Sequence, residues 1–270
     1  LIQVDNDSKK VMYYMKDYNE DHYKKAINFC RQENVYVEGT ALISIFPIDI
    51  FKSFKDVQIF TYMFEGSILA AYFKMHKVDC TLLKNVDLEK AKLLLIKDKL
   101  NIYIGSKNFS SKHKVSLLSH SSFNDLRTDY KLQIKKGYTN LCRTTFGTKS
   151  KHNAYTTYKD QKVGLSGIRY ALNFIPSNAR ATNDYENIKS IGYFLNKYLN
   201  PGIVNFFKSN GVDIDQDKWA LSELIQLLWR GCIRRGEPMN VYVPSFRMRT
   251  LLIGYINGEF LDVFLTNNAA

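Results

Sequence analysis

Gln226, Arg230 and Arg234 stand four residues apart, and Arg235 follows directly. On a helix of about 3.6 residues per turn, that spacing sets one amide and two guanidiniums on roughly one face. A guanidinium presents a planar, bidentate donor fork, so two or three together can clamp a phosphate chain. The stretch 219–232 reads as the best amphipathic helix in the chain, with Leu221, Leu224, Ile225 and Leu228 as the stripe that docks it. The same arginines also suit a solvated basic face at a helix C-terminus, where cations complement the helix dipole. Spacing alone leaves both readings open.

Three further groups offer polar contacts. Asn178-Ala-Arg-Ala-Thr-Asn183 follows 170–175, a run that reads as a buried strand. Ligands of open α/β sheets gather at loops after the carboxyl ends of strands. There Arg180, Thr182 and Asn183 would offer a guanidinium, a hydroxyl and an amide to a phosphate, or simply cap the next helix. Residues 57–62 read as a strand, 63–67 as a turn and 68–76 as a helix, placing Thr61, Tyr62, Glu65 and Gly66 in a similar post-strand loop. Tyr155-Thr-Thr-Tyr-Lys159 lies among Lys131, Lys135, Lys136, Arg143, Lys149 and Lys151. Thr156, Thr157 and Lys159 could therefore line a basic and aromatic track for single-stranded nucleic acid. The alternative is solvated charge with half-buried tyrosines.

Other chemistry is excluded by what is missing. No G-x-x-x-x-G-K-[ST] loop occurs; the nearest string, Gly147-Thr-Lys-Ser150, lacks the first Gly and the Gly-Lys pair. No Asp-Glu pair closes an apolar strand. Nothing in this chain would cradle the β- and γ-phosphates, so alone it is expected not to hydrolyse ATP. The cysteines at 30, 80, 142 and 232 form no CxxC pair, which fits reduced thiols in a cytosolic protein. The histidines at 22, 76, 113, 120 and 152 show no ligand spacing, and no metal site is expected.

The elements that must position these residues follow from composition and pattern. The chain has 270 residues, with 38 Lys and Arg against 26 Asp and Glu, a formal charge of +12. With 45% hydrophobic and 24% charged residues it can bury a real core, which excludes disorder, collagen and coiled coil as descriptions of the whole. Eighteen Tyr and 17 Phe in so basic a chain favour a polyanion partner, nucleic acid ahead of membrane. No apolar run reaches the roughly 18 to 20 residues of a spanning helix. The first residue is not Met, which suggests a piece of something longer.

Residues 1–40 read as a connecting segment with one amphipathic helix at 19–31, and 41–270 as the main domain. Strands are expected at 41–46, 57–62, 100–105, 170–175 and 239–243. Helices are expected at 68–76, 84–99, 188–200 (stopped by Pro201-Gly202), 203–209, 219–232 and 246–256. Residues 106–151 read as a polar insertion. Strands interleaved with helices imply a three-layer α/β fold with a mostly parallel sheet.

The string of motifs resembles bacteriophage-encoded DEAD/DEAH-like superfamily 2 helicases. The resemblance rests on Phe174-Ile-Pro-Ser-Asn-Ala-Arg-Ala-Thr-Asn-Asp-Tyr185, Ala220-Leu-Ser-Glu-Leu-Ile-Gln-Leu-Leu-Trp-Arg230 and Val241-Tyr-Val-Pro-Ser-Phe-Arg-Met-Arg-Thr-Leu-Leu252. Ile59-Phe-Thr-Tyr-Met-Phe-Glu-Gly66 and Tyr155-Thr-Thr-Tyr-Lys159 fit the same order. It implies the second RecA-like domain of an ATP-dependent helicase or translocase, with the phosphate-loop domain upstream and absent here. ATP and Mg²⁺ would be held mainly by that first domain, and DNA would cross both during replication or recombination. In that family Gln226, Arg230 and Arg234 match the sixth motif, and one of Arg230, Arg234 and Arg235 would be the arginine finger. Trp229 stands where the usual Gly precedes the first Arg, and the second Arg is displaced by one residue. Arg180, Thr182 and Asn183 match the fifth motif, and 61–66 the fourth. The rival expectation is a non-catalytic nucleic-acid-binding or regulatory protein with a helicase-like fold.

Overall fold

A computed structural model of the chain describes residues 2–18, 20–31, 34–83, 86–179 and 183–260, with backbone alone for 86–89. The chain forms two units, Leu1–Cys80 with Leu199–Gln216, and Thr81–Tyr198 with Asp217–Ala270.

The first unit is built from two antiparallel hairpins and short helices. Strands β1 (Ile2–Val4) and β2 (Val11–Tyr14) pair, as do β3 (Val35–Glu38) and β4 (Ala41–Ser44). Helix α1 (Asp21–Cys30) lies between the hairpins in sequence, and α2 (Ile48–Lys52) and α3 (Ile68–Met75) follow them. The eighth helix in chain order, α8 (Pro201–Ser209), also belongs here, packing Phe206 and Phe207 against Ala71, Tyr72 and Phe73 of α3. The boundary expected after residue 40 therefore falls in the β3–β4 turn, inside a unit.

Two expectations fail in this unit. Residues 57–62 form no regular element; Val57, Ile59 and Phe60 are exposed, and among the described residues no strand pairs with them. Alternating apolar residues make a strand only where a partner edge accepts them. Pro201 does not stop a helix but starts α8: Asn200 accepts from the Gly202 N–H at 2.8 Å, and proline at the first position has no N–H to lose.

The second unit carries the parallel sheet. In chain order it runs α4 (Val86–Lys99), β5 (Leu100–Ile102), α5 (His120–Asn124), α6 (Thr128–Arg143), β6 (Asn153–Thr156), α7 (Lys162–Leu165) and β7 (Ser190–Tyr193). It continues with α9 (Gln216–Leu228), β8 (Met239–Tyr242) and α10 (Phe246–Ile256). The strands lie in the order β5-β8-β7-β6, every neighbouring pair parallel. Helices cover both faces, so the expected three-layer α/β class holds.

One face packs on α6, whose Ile134, Tyr138, Leu141 and Cys142 meet Tyr155, Phe194 and Tyr242 from the sheet side. Gly192 of β7 sits under these rings; a Cβ there would come within 2.5 Å of Phe194 Cζ and 2.8 Å of Tyr138 Cε1. On the other face α4, α9 and α10 close together through Ile96, Leu100, Ile225, Leu228, Leu252 and Tyr255. Helix α6 lies within the stretch expected to be a polar insertion. Its buried positions recur at helical spacing, but four lysines and arginines interspersed among them (Lys131, Lys135, Lys136 and Arg143) hide them.

The main error concerns β7. Residues 188–200 place Ile188, Ile191, Leu195 and Leu199 at helical intervals, yet Ser190–Tyr193 is the central strand, buried on both faces. A strand covered on both sides loses its two-residue alternation, so the pattern carries no strand signal. Residues 170–175, expected as a strand, are tight turns with one bridge from Phe174 to Tyr155.

Tyrosines make this core unusual: Tyr138, Tyr155, Tyr170, Tyr193 and Tyr242 are all almost fully enclosed. Tyr138 donates to the Ala154 carbonyl at 2.9 Å, Tyr170 to that of Leu165 at 2.8 Å, and Tyr242 to that of Lys107 at 2.7 Å. Burial raises Tyr138, Tyr170, Tyr193 and Tyr242 well above the ordinary phenol range, pushes Tyr158 up to about 12, and pushes the Cys142 thiol up to about 11. In the unfolded chain these groups ionise near their ordinary values of about 8.5 for Cys and 10 for Tyr. The unfolded state therefore holds fewer protons above those values, and stability falls as pH rises. The expected outcome is full stability below about pH 8.5, then a loss of up to about 1.4 kcal/mol per pH unit for each group kept protonated. Urea unfolding between pH 7 and 11 measures this, and a flat profile would contradict the closed tyrosine core.

Candidate functional site

Ligands of parallel α/β sheets sit at the carboxyl ends of the strands, where loops leave to either face. Here the four post-strand segments converge on one residue. Asn196, just beyond β7, has no exposed surface. Its side-chain amide donates to the carbonyls of Val115 (2.8 Å) and Leu117 (3.0 Å), in the segment after β5. Its side-chain oxygen accepts from Arg247 Nη1 at 3.0 Å, after β8, and its backbone carbonyl accepts from Tyr158 Oη at 3.2 Å, after β6.

Two arginines at the start of α10 carry the charge of this edge. Arg247, its side chain 9% exposed, donates from Nε to Asp217 at 2.8 Å and from Nη1 to the Lys197 carbonyl at 2.8 Å, and its Nη2 pairs with Asp217 at 2.6 Å. Arg249 is equally enclosed; its Nη1 donates to the carbonyls of Val243 (2.9 Å) and Pro244 (3.1 Å), and its Nη2 to that of Phe109 (2.7 Å). Desolvation lowers the Arg249 pKa, and among the described residues no carboxylate pairs with it. Ser245 caps α10, accepting from the Met248 N–H. Lys197 pairs with Glu223 at 2.8 Å, each side chain 13% exposed. Exposed lysines ring this cluster: Lys112 and Lys114 after β5, Lys159 and Lys162 after β6.

Aromatic rings lie against these cations. Tyr198 stacks on the Arg247 guanidinium (4.2 Å from Cζ to ring centroid), Trp219 lies 5.7 Å from Lys197 Nζ, and Phe246 lies 5.8 Å from Arg249 Cζ. Chemically, this edge is a rigid hydrogen-bonded floor with a buried cation, a lysine rim and exposed rings. Among the described residues no three metal-binding side chains cluster.

The residues expected from sequence fall elsewhere, and they do not come together. Helix α9 ends at Leu228, so Arg230, Arg234 and Arg235 do not continue the face of Gln226. Arg230 stands in the turn after the helix, and Arg234 and Arg235 in a 3₁₀ turn (Cys232–Arg235) just before β8. That is the amino edge of the sheet. Arg234 donates to the Asn183 side-chain oxygen at 3.0 Å, while Arg235 pairs with Glu237 at 2.8 Å and with Glu186 at 3.7 Å. Gln226 donates to Ser222 at 2.9 Å. The single-helix face fails because the helix ends at Leu228 and the chain turns toward β8; at Gly231 a Cβ would come within 2.8 Å of Met239 Sδ and 3.1 Å of the Ile188 carbonyl.

Thr156 and Thr157 are buried rather than lining a surface track, while Lys159 is exposed. Thr61, Tyr62, Glu65 and Gly66 belong to the first unit, with Gly66 buried and Thr61 exposed. Arg180 and Thr182 lie outside the described residues. Sequence reasoning assigned no role to Asn196, Lys197, Arg247 or Arg249. The signal was present: Val243-Pro-Ser-Phe-Arg-Met-Arg249 follows a strand that was recognised, and 194–200 would have stood out had β7 been read as a strand.

The fold and its carboxyl-edge cluster define a Rossmann-like α/β domain. Residues 95–256 match the family described as the YonV C-terminal Rossmann-like domain, and the chain belongs to that family. It is 34% identical over 227 residues, 79% of this chain, to the SPbeta prophage-derived uncharacterized protein YonV of Bacillus subtilis (strain 168). The chain spans 55% of that relative's length. No solved structure matches. The prophage relative agrees with the expected bacteriophage connection, whereas the family found is YonV rather than a helicase family.

Replacing Asn196 with Ala removes three side-chain hydrogen bonds from a fully enclosed position and leaves the carbonyls of Val115 and Leu117 without this donor. We expect a loss of about 2–4 kcal/mol in urea unfolding. A loss below about 0.5 kcal/mol would show that the post-strand segments are held by something else.

Proposed function

We propose that the Rossmann-like unit is a non-catalytic nucleic-acid-binding module that takes phosphates along the carboxyl edge of its sheet. The observation that carries this reading is the partition of charge. Thr81–Tyr198 with Asp217–Ala270 holds 27 Lys and Arg against 13 Asp and Glu, a formal +14, while the other unit holds 11 against 13, a formal −2. The entire positive excess thus belongs to the unit with the parallel sheet, and lysines crowd the segments leaving β5 and β6. Neutralising phosphates releases condensed counterions, so binding is expected to weaken steeply with salt.

The test is affinity for labelled DNA across 50 to 300 mM salt, for the native chain and for Lys112→Glu, Lys114→Glu and Lys159→Glu. Each substitution should lower affinity and flatten the logarithmic salt slope by roughly 0.7 to 0.9 per lost contact. Arg234→Glu, at the amino edge, should leave both unchanged. Equal losses from both edges would mean diffuse attraction to net charge, and no salt dependence would sink the reading.

A second reading, the arginine-bearing half of an ATP-dependent helicase, is favoured by one observation. The relative is far longer than the stretch matched here, which leaves room for a domain holding ATP and Mg²⁺. It requires Arg234 or Arg235 to give up an internal partner for a nucleotide, or Arg230 to act from the turn. In a full-length family member, the residues corresponding to Arg230, Arg234 and Arg235 would each be changed to Ala. Loss of on the order of 10³-fold in kcat with any one would support it; unchanged kcat with all three, or no DNA-stimulated ATPase to begin with, would dismiss it.

A further inference from the structure

We infer that the nucleic acid taken at this edge is single-stranded, with bases stacking on the outer faces of Tyr198 and Phe246; this rests on the phosphate-binding reading above and names its substrate class. Both residues are more than one-third exposed, at 38% and 37%, although Leu199 and Ser245 beside them are buried. An exposed ring at such a place ordinarily swings freely. Here each has a buried guanidinium against it: Arg247 lies 4.2 Å from the Tyr198 centroid and Arg249 lies 5.8 Å from that of Phe246.

Those guanidiniums cannot move to follow a ligand. Arg247 is fixed by Asp217, Asn196 and the Lys197 carbonyl, and Arg249 by the carbonyls of Val243, Pro244 and Phe109. Cation–π attraction holds each ring against its immobile base, so little rotamer freedom remains to be lost when a ligand stacks. A base has a π-face whatever its identity, and stacking on an aromatic side chain is sequence-tolerant. In a duplex those faces are occupied by neighbouring base pairs, so the rings have nothing to stack on. The exposed Lys112, Lys114 and Lys159 of the same edge then supply the backbone contacts. Single strands gain both contributions and duplexes only one.

The experiment compares anisotropy titrations of a labelled oligothymidylate, a duplex of equal length and inorganic polyphosphate against the native chain, Tyr198→Ala, Phe246→Ala and Tyr198→Trp. The native chain should prefer the single strand to the duplex by on the order of tenfold or more. Each Ala variant should lose most of that preference while keeping its affinity for duplex and polyphosphate and its salt slope; Tyr198→Trp should keep the preference. Equal native affinity for single strand and duplex overturns the stacking inference and leaves the phosphate reading standing. Parallel loss of all three ligands in the Ala variants also overturns it, since the rings would then merely support the fold. If the native chain binds none of the three, the phosphate reading itself fails.

Discussion

A buried amide organises the carboxyl edge of the parallel sheet. Asn196 is enclosed, and its side-chain donors, side-chain acceptor and backbone carbonyl are each used on a different post-strand segment. Polar groups in a protein interior are costly unless every one is partnered, and a satisfied network specifies one arrangement for just that reason. Its amide hydrogens also resolve a topological difficulty. The chain after β5 must cross to β6 at the far side of the sheet, and a long crossover has no ladder to hold it. Fixing the carbonyls of Val115 and Leu117 to the end of β7 pins that crossover midway. Arg249 pins its beginning through the Phe109 carbonyl.

The tyrosine layer beneath α6 follows the same economy of paired polar groups. Tyr138 lies against Tyr170 (4.6 Å between centroids) and stacks near Tyr242 (5.8 Å), while its hydroxyl reaches Ala154 and Ser190 between β6 and β7. Each ring brings a large apolar area and one hydroxyl that must find a carbonyl. Tyr170 and Tyr242 find carbonyls in loops and helix ends, at Leu165 and Lys107, next to strands of only three or four residues, while Tyr138 uses Ala154 within β6. Gly192 completes the arrangement, since only a residue without Cβ leaves room for two rings across the middle strand. Together these features make a rigid platform under a polar edge.

The α/β class, the closing helix Phe246–Ile256 and strand β8 were legible from sequence because local pattern and burial agree there. Strand β7 was not, since burial on both faces removes alternation and chance spacing of Ile188, Ile191 and Leu195 imitates a helix. That one misreading hid the site: with β7 taken as helix, Asn196 and Lys197 become positions on a helical surface. The arginines at 230, 234 and 235 drew attention through spacing that holds only if the helix continues, and the helix ends at Leu228. The cluster that does assemble has no sequence spacing at all. Residues 109, 115, 117, 158, 196, 217, 223, 247 and 249 meet solely through the parallel strand order.

Charge then distinguishes the two edges of the sheet. At the amino edge Arg235 is exposed and stands among acids, Glu237 and Glu186, which it holds or is held by, and Lys189 adds a further pair with Glu237. Such surface pairs are screened by solvent and leave little net potential. At the carboxyl edge Arg249 is buried, and its hydrogen bonds among the described residues go to carbonyl dipoles, which orient toward a cation without cancelling its charge. Burial lowers its pKa, yet a guanidinium stays protonated at any physiological pH. The cation therefore persists in a region where its field is screened less than on the surface, directly beneath the N-terminus of α10, whose dipole has the same sign. Arg247 and Lys197 of this edge are paired with Asp217 and Glu223, as Arg235 of the amino edge is with Glu237 and Glu186, so Arg249 is the cation here that no carboxylate among the described residues pairs with. That buried cation, placed by where Arg249 falls in the strand order, supports the phosphate binding proposed for this edge.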